Sequence, residues 1–316
     1  MEAILVNPAH VKGLPGRKTD VWMRSSGASW PARAIGRIVP VMDSIEAAEF
    51  ALGLPEVDPD LPSPARIYDF WLGGSQNFEA DRQVGRQAAA AMPTLTAAIR
   101  ANRSFLGRIV QHLAGPLGID QFLDLGSGVP TVGNVHEVAH ETNPAARIVY
   151  VDIDQVAIAH ARHLLADVPG TVAILADLRR PETVLGHPLV RETLDFARPV
   201  AVLMNAVLHF IPDSDHPERI IDGYTAVLAP GSYLALSHAA PDLRHPGEQG
   251  EMLADYQRST RVPFINREPE QIGTWLEHLE IQPPGLVTVD QWHPEPDTAA
   301  TPILRTYGVL ARVPAP

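Results

Sequence analysis

The chain has 316 residues, 45% of them hydrophobic, which suits one large domain with an appendage or two domains, with an ample core. Lysine and arginine number 25 against 37 acidic residues, a formal charge of -12, so a phosphate backbone is a poor partner and nucleic acid is not expected. There are no cysteines, which excludes disulfides, thiolate metal sites and cysteine nucleophiles, and no run of about 20 apolar residues that could cross a membrane.

Residues 1–45 carry scattered basic residues, among them Lys12, Arg17, Lys18 and Arg24, without a sustained apolar stretch and cleavage site. No signal peptide is expected there. With the cysteine-free composition, a cytoplasmic protein is expected. Met42 offers an alternative start. Residues 53–64 are acidic and proline-rich, so residues 1–60 read as a poorly ordered extension and linker.

Ser63-Pro64 has the form of a helix cap followed by proline at the first helical position. The spacing predicts a short helix through Ile67, Tyr68 and Trp71 that stops at Gly73-Gly74, a second from about Phe78 to Ala91, and a third from Pro93-Thr94 carrying Leu95, Ile99, Leu106, Ile109 and Val110. Residues 61–115 thus form a helical region ahead of a core at 116–316. From Gln121 strand and helix alternate. Strands are expected at 121–125, 147–152, 171–176, 199–204, 231–237, 286–291 and 303–311, and helices at 130–142, 154–166, 217–229, 247–259 and 268–279, with Asp154 and Asn266 as caps. The early strands are unbroken apolar runs, as when helices cover both sheet faces. The fold class is therefore α/β, a doubly wound Rossmann-like sheet, mainly parallel, whose ligands lie beyond the carboxyl ends of the strands.

Several polar residues fall at those ends. The turn Asp124-Leu125-Gly126-Ser127-Gly128 follows the first strand, and a glycine turn lets a ligand approach the backbone closely. It departs from the dinucleotide pattern G-x-G-x-x-G, because the third glycine position is Thr131 and an acid precedes the first glycine. Asp124 repels a pyrophosphate and attracts an ammonium or sulfonium group. Asp152 ends the second strand, where a carboxylate can take two ribose hydroxyls; capping the following helix is its structural alternative. Asp177 ends the third strand and can accept from an adenine amine or lie in a solvated turn. Asn205 ends the fourth strand, near the reacting centre, and His209 follows as either a core histidine or a base for a hydroxyl or amine nucleophile.

These residues together resemble the class I S-adenosylmethionine-dependent methyltransferases. They resemble more closely one actinobacterial S-adenosyl methyltransferase family, formerly a domain of unknown function. The likeness runs from about Pro62 to the C-terminus. It is carried by Ala65 through Arg82, Asn102-Arg103-Ser104-Phe105-Leu106, Phe122 through Thr131, Asn134-Val135-His136-Glu137, Val149-Tyr150-Val151-Asp152, Pro230-Gly231-Ser232-Tyr233-Leu234 and Ser237-His238. The resemblance implies seven strands with the last antiparallel, and S-adenosyl-L-methionine as cofactor. It implies cofactor contacts at Gly126, Ser127, Gly128, Asp152 and Asp177, with Ile153 and Leu178 beside the two acids. It also implies an N-terminal lid formed by the block from Tyr68 to Phe78. The residues agree: Gly73-Gly74 gives a sharp bend, and Arg66, Tyr68 and Asn77 offer polar tips. Ser75-Gln76 stands where the family more usually has Lys-Asp, and the tail from Tyr307 to Arg312 departs from the usual glycine-rich ending.

His136-Glu137-Val138-Ala139-His140 matches the zinc-protease pattern H-E-x-x-H, but it opens directly from the glycine turn and no third ligand accompanies it, so no metal is expected. Neither a Walker phosphate loop nor a G-x-S-x-G elbow occurs. The chain reads as a methyltransferase for a small-molecule hydroxyl or amine, with His209 and Asn205 at the reaction and His238 as a second base. A non-catalytic nucleoside-binding regulator is the alternative, and a nicotinamide oxidoreductase is disfavoured by Asp124.

Overall fold

The computed structural model describes residues 57–131, 133–294 and 305–315. The extension expected over residues 1–60 lies outside these up to residue 56, as does the alternative start at Met42. Three helices come first: α1 (Pro64–Trp71), α2 (Glu79–Ala91) and α3 (Leu95–Ala114). Pro64 opens α1, where its missing N–H costs nothing. The Ser63 hydroxyl does not cap that helix; it donates instead to Asp154.

The core then alternates β1 (Gln121–Leu125), α4 (Val135–Thr142), β2 (Arg147–Asp152), α5 (Gln155–Leu164) and β3 (Thr171–Leu175). Two short helices follow, α6 (Pro181–Gly186) and α7 (Pro188–Thr193), then β4 (Ala201–Asn205), α8 (Pro217–Thr225), β5 (Tyr233–Ala239), α9 (Pro246–Thr260) and α10 (Pro269–Thr274). The chain closes with β6 (Glu280–Ile281), β7 (Val287–Thr288) and β8 (Thr306–Arg312).

The sheet order is β3-β2-β1-β4-β5-β8-β6, with β7 also on β8. The first five strands are parallel and β8 is antiparallel to β5. The doubly wound, mainly parallel sheet and its antiparallel last strand are as expected from sequence. The expected strand 286–291 is reduced to β7, and β6 at Glu280–Ile281 pairs with β8 as an additional strand, making eight; Pro283-Pro284, which cannot donate to a ladder, separates the two. Helix α4 starts at Val135 rather than 130, since Asn134 caps it and its own N–H donates to Glu137 Oε2 at 2.7 Å. Asp154 caps α5 as expected, accepting from the Val156 and Ala157 amides. The cap placed at Asn266 is corrected: α10 begins after Glu268.

Alternation along each strand explains the unbroken apolar runs. Leu123, Leu125, Val149 and Val151 face a core formed with α6, α7, α8 and α10, while Phe122, Ile148 and Tyr150 face a second core under α3, α4 and α5. Both sheet faces are thus dry. No helix among the described residues is long and apolar enough to cross a membrane.

The N-terminal helices are tied to this core by charge. Buried Arg66 donates to Asp81 at 2.9 Å, to Asp154 at 3.0 Å and to the Leu61 carbonyl at 2.6 Å, while Asp81 also accepts from the Ser63 and Phe78 amides. Removing one partner of a buried pair strands the other charge. Arg66→Met is therefore expected to lower the unfolding free energy by roughly 3–5 kcal/mol. Equilibrium urea unfolding of both proteins measures this, and a loss within the surface-pair range of about 1 kcal/mol would show that the clasp does not anchor the layer.

Candidate active site

A cavity of about 600 Å³ lies over the carboxyl ends of the parallel strands, within the size range of small-molecule sites. Strand order places it at the switch point between β1 and β4, where successive connections leave toward opposite faces. The helices α1 and α3 close it from the N-terminal side through Tyr68, Asn102 and Arg103.

Its floor is the turn after β1. Gly126 and Gly128 have φ of +72° and +64°. A Cβ on Gly126 would strike the Val207 side chain, so that position needs glycine both for its conformation and for the close approach. The Gly126 and Ser127 amides donate to the Val151 carbonyl at 2.8 and 3.1 Å, and the Gly128 amide donates to Asp152 Oδ2 at 2.7 Å. The second acid therefore fastens the turn as well as facing the cavity. The buried Ser127 Oγ has no partner among the described residues.

Asp124 and Asp152 are both buried on the cavity wall. Burial pushes the Asp124 carboxyl up to about 7, with Arg103 opposing and the Asp152 charge reinforcing the shift. Burial also raises Asp152 to about 6, against the pull of the Asp154 and Gly128 amides. Asp177 goes the other way. Burial raises it, but the Arg179 side chain and amide outweigh this and leave it below the ordinary carboxylate range. Arg179 grips both Asp177 oxygens at 2.7–3.0 Å and reaches Asp215 at 3.1 Å.

Past β4 the wall changes. Ala206 has φ +54°, a strained conformation for a residue with a Cβ, and its amide donates to the Ser237 carbonyl and hydroxyl. The Ser237 hydroxyl lies 2.7 Å from both Asn102 Oδ1 and Asn205 Oδ1, and Asn102 donates to the Tyr68 hydroxyl at 3.0 Å. One hydroxyl proton thus serves two amide oxygens, linking α1, α3, β4 and β5 around the cavity. His209 stacks on Phe264 with centroids 4.3 Å apart, and its buried Nδ1 has no partner among the described residues. Burial, with His238 and Arg267 close by, drives its pKa well below the ordinary histidine value.

Of the residues singled out from sequence, Tyr68, Asp124, Gly126, Ser127, Gly128, Asp152, Ile153, Asp177, Leu178, Asn205 and His209 all line the cavity. Arg66, Gly74, Asn77 and His238 do not. Arg66 is consumed by its two carboxylates. Gly74 is pressed against the Asp69 side chain, leaving no room for a Cβ, and Asn77 donates to Asp69 Oδ2 at 2.7 Å. His238 is corrected as a base: Nδ1 donates to the Ala239 carbonyl, Nε2 faces the Arg267 guanidinium at 3.1 Å, and burial together with that charge brings the ring down to about 4. In the H-E-x-x-H segment, Glu137 holds the Asn134 amide, His136 meets the Tyr150 hydroxyl and His140 meets the Ala146 carbonyl. Sequence reasoning passed over Arg103 as a site residue. Its signal was a cation one helix away from an acidic turn.

A profile of the S-adenosyl methyltransferase family matches residues 52–314. The chain belongs to the S-adenosyl methyltransferase family. It is similar to a solved DUF574 family protein of Streptomyces avermitilis at 37% identity, with 81% of this chain and 99% of that one covered and a TM-score of 0.77. It is also similar to a solved structure from Thermobifida fusca at 40% identity, with 83% and 98% covered and a TM-score of 0.76. No curated protein matches. The methyltransferase is an enzyme that depends on S-adenosylmethionine, and its wall suits that molecule: buried acids for a cationic ligand, a serine hydroxyl without a partner among the described residues and a glycine floor.

The raised carboxyls have a pH consequence. An acid raised in the folded state keeps a proton that the unfolded chain has released, so its contribution to the stability of the ligand-free methyltransferase is full below about 4 and is lost as pH climbs through 6 to 7. A cationic ligand needs the ionised forms. Affinity for S-adenosylmethionine should therefore rise by on the order of tenfold between pH 5.5 and 8, with the part near pH 7 absent in Asp124→Asn. Calorimetric titration at several pH values checks this, and a flat profile in the native protein would contradict it.

Proposed function

We propose that this methyltransferase acts on a small-molecule hydroxyl or amine, held beside the methyl donor in one enclosed cavity. The observation that carries this is the division of the cavity into two unlike halves. Four of the five lining acids stand at the ends of β1, β2 and β3, while the aromatic rings Phe210, Tyr256 and Phe264 come from past β4, together with the arginines Arg261 and Arg305. One ligand type does not suit both walls, whereas a donor and an acceptor do.

S-adenosylmethionine supplies an already activated methyl on a sulfonium, so the protein's task is to place two molecules about 3 Å apart and exclude water. In our assignment Asp152 takes the ribose hydroxyls. Asp124 takes the amino group of the methionine end, with Arg103 for its carboxylate. Asp177, kept ionised by Arg179, accepts from the adenine amine between Ile153 and Leu178. Ser127 offers its spare hydroxyl. Asn205, with its Oδ1 facing the Ser237 hydroxyl, borders the methyl path. His209 is neutral at physiological pH and can accept a proton, but its apolar surroundings make it a weak store for one. It orients the nucleophile as much as it deprotonates it. The helical region 61–115 serves as the lid over both halves, clasped by Ser63 and Arg66 at Asp154.

Asp152→Ala should cost roughly 1–3 kcal/mol of affinity for S-adenosylhomocysteine, the loss of charge-assisted hydrogen bonds to a sugar. Unchanged affinity would remove Asp152 from the site. Incubating the protein with S-adenosylmethionine and fractionated small-molecule extracts, and detecting S-adenosylhomocysteine, tests turnover; production only with protein or nucleic-acid fractions would refute a small-molecule acceptor.

A further inference from the structure

The two halves of the cavity also differ in sign of charge. Asp124, Asp152, Asp154 and Asp177 follow the first three strands, and Asp215, the remaining acid on the wall, is bound by the arginine that grips Asp177. Every acidic side chain lining the cavity among the described residues therefore lies on the nucleoside side. The other half has no lining acid and no lysine; its charges are Arg261 and Arg305.

These two arginines differ. Arg305 is engaged, with Tyr307 Oη at 2.5 Å, the Pro241 carbonyl at 3.3 Å and Glu268 at 3.5 Å. The Arg261 side chain is exposed and has no hydrogen bond or ion pair among the described residues. It sits at the end of α9 with φ +58°, an uncommon conformation for a residue with a Cβ. That turn sends the chain directly into Val262, Pro263 and Phe264, which line the same half. Phe264 stacks on His209 and meets Phe210 edge-on, and Tyr256 stands edge-on to Phe264 and stacks with Trp71. His209, 6% exposed, stacks in this group and has a ring nitrogen without a partner among the described residues. A cavity lined by an exposed, unpaired arginine and by this group of aromatic rings suits a flat molecule with a negative end, and offers nothing to compensate a second cation next to a sulfonium.

We infer that Arg261 is a specificity-determining residue, and that the methyl acceptor is a planar aromatic compound bearing a carboxylate that Arg261 binds at the cavity mouth. This rests on the acceptor half assigned above. The guanidinium can take a carboxylate with two parallel hydrogen bonds while Phe210, Tyr256 and Phe264 cover the ring.

The test is calorimetric binding to full-length protein saturated with S-adenosylhomocysteine, using 3-hydroxy-2-naphthoate, 2-naphthol and 2-naphthylmethylamine as matched anionic, neutral and cationic probes. The carboxylate should bind at least about tenfold tighter than the other two, Arg261→Gln should abolish that preference, and Arg261→Lys should keep part of it. Affinity for S-adenosylhomocysteine should be the same in all three proteins, which also shows that the variants are folded. No binding of the carboxylate, equal binding of the three probes, preference for the amine, or a preference that survives Arg261→Gln would each overturn the inference. If S-adenosylhomocysteine itself does not bind the native protein, the two-ligand cavity falls too; if it binds and the carboxylate shows no preference, only the acceptor class is wrong.

Discussion

Asp124 and Asp152 end neighbouring parallel strands, and both are held out of water on the wall of one cavity. A carboxylate in that position loses hydration, and the charge of Asp152 pushes Asp124 further up. The chain accepts this cost locally. It ties Asp152 to the Gly128 and Asp154 amides, brings Arg103 near Asp124, and leaves Ser127 Oγ without a partner among the described residues. Unrelieved polar burial of this kind marks a place where a ligand completes the structure. The sheet order makes it possible, because at the switch between β1 and β4 the connections leave toward opposite faces and the strand ends open onto a crevice.

The rest of the site is organised around that pair. Asp154, two residues past Asp152, caps α5 with one oxygen and receives Ser63 and Arg66 with the other. The N-terminal helices are thus clasped to the rim of the nucleoside half. On the opposite side, the chain Tyr68–Asn102–Ser237–Asn205 joins the same helices to the ends of β4 and β5. A shift of the helical layer therefore disturbs both halves at once.

The α/β alternation was legible because buried parallel strands write themselves as unbroken apolar runs, and the acids and asparagine at strand ends follow from that geometry. The capping acid Asp154 was legible for the same local reason. Helices α6 and α7 were not, since two six-residue elements opened by Pro181 and Pro188 resemble a charged loop until packing of Val184 and Val190 against the sheet is known. Arg66, Gly74 and Asn77 stand in a segment that resembles the family's lid, yet their partners are Asp81, Asp154 and Asp69, from inside the chain. Nothing in spacing tells a polar tip facing a ligand from one facing a buried carboxylate. His238 failed for a related reason: its partner Arg267 is distant in sequence and meets it only in the folded chain.

A crystal structure of the protein soaked with S-adenosylhomocysteine tests the central claim most directly. The account predicts ribose oxygens within hydrogen-bond distance of Asp152, the amino group at Asp124, and adenine directed toward Asp177, with the aromatic half left open. The nucleoside bound elsewhere, or Asp124 and Asp152 facing no ligand atom, would contradict it.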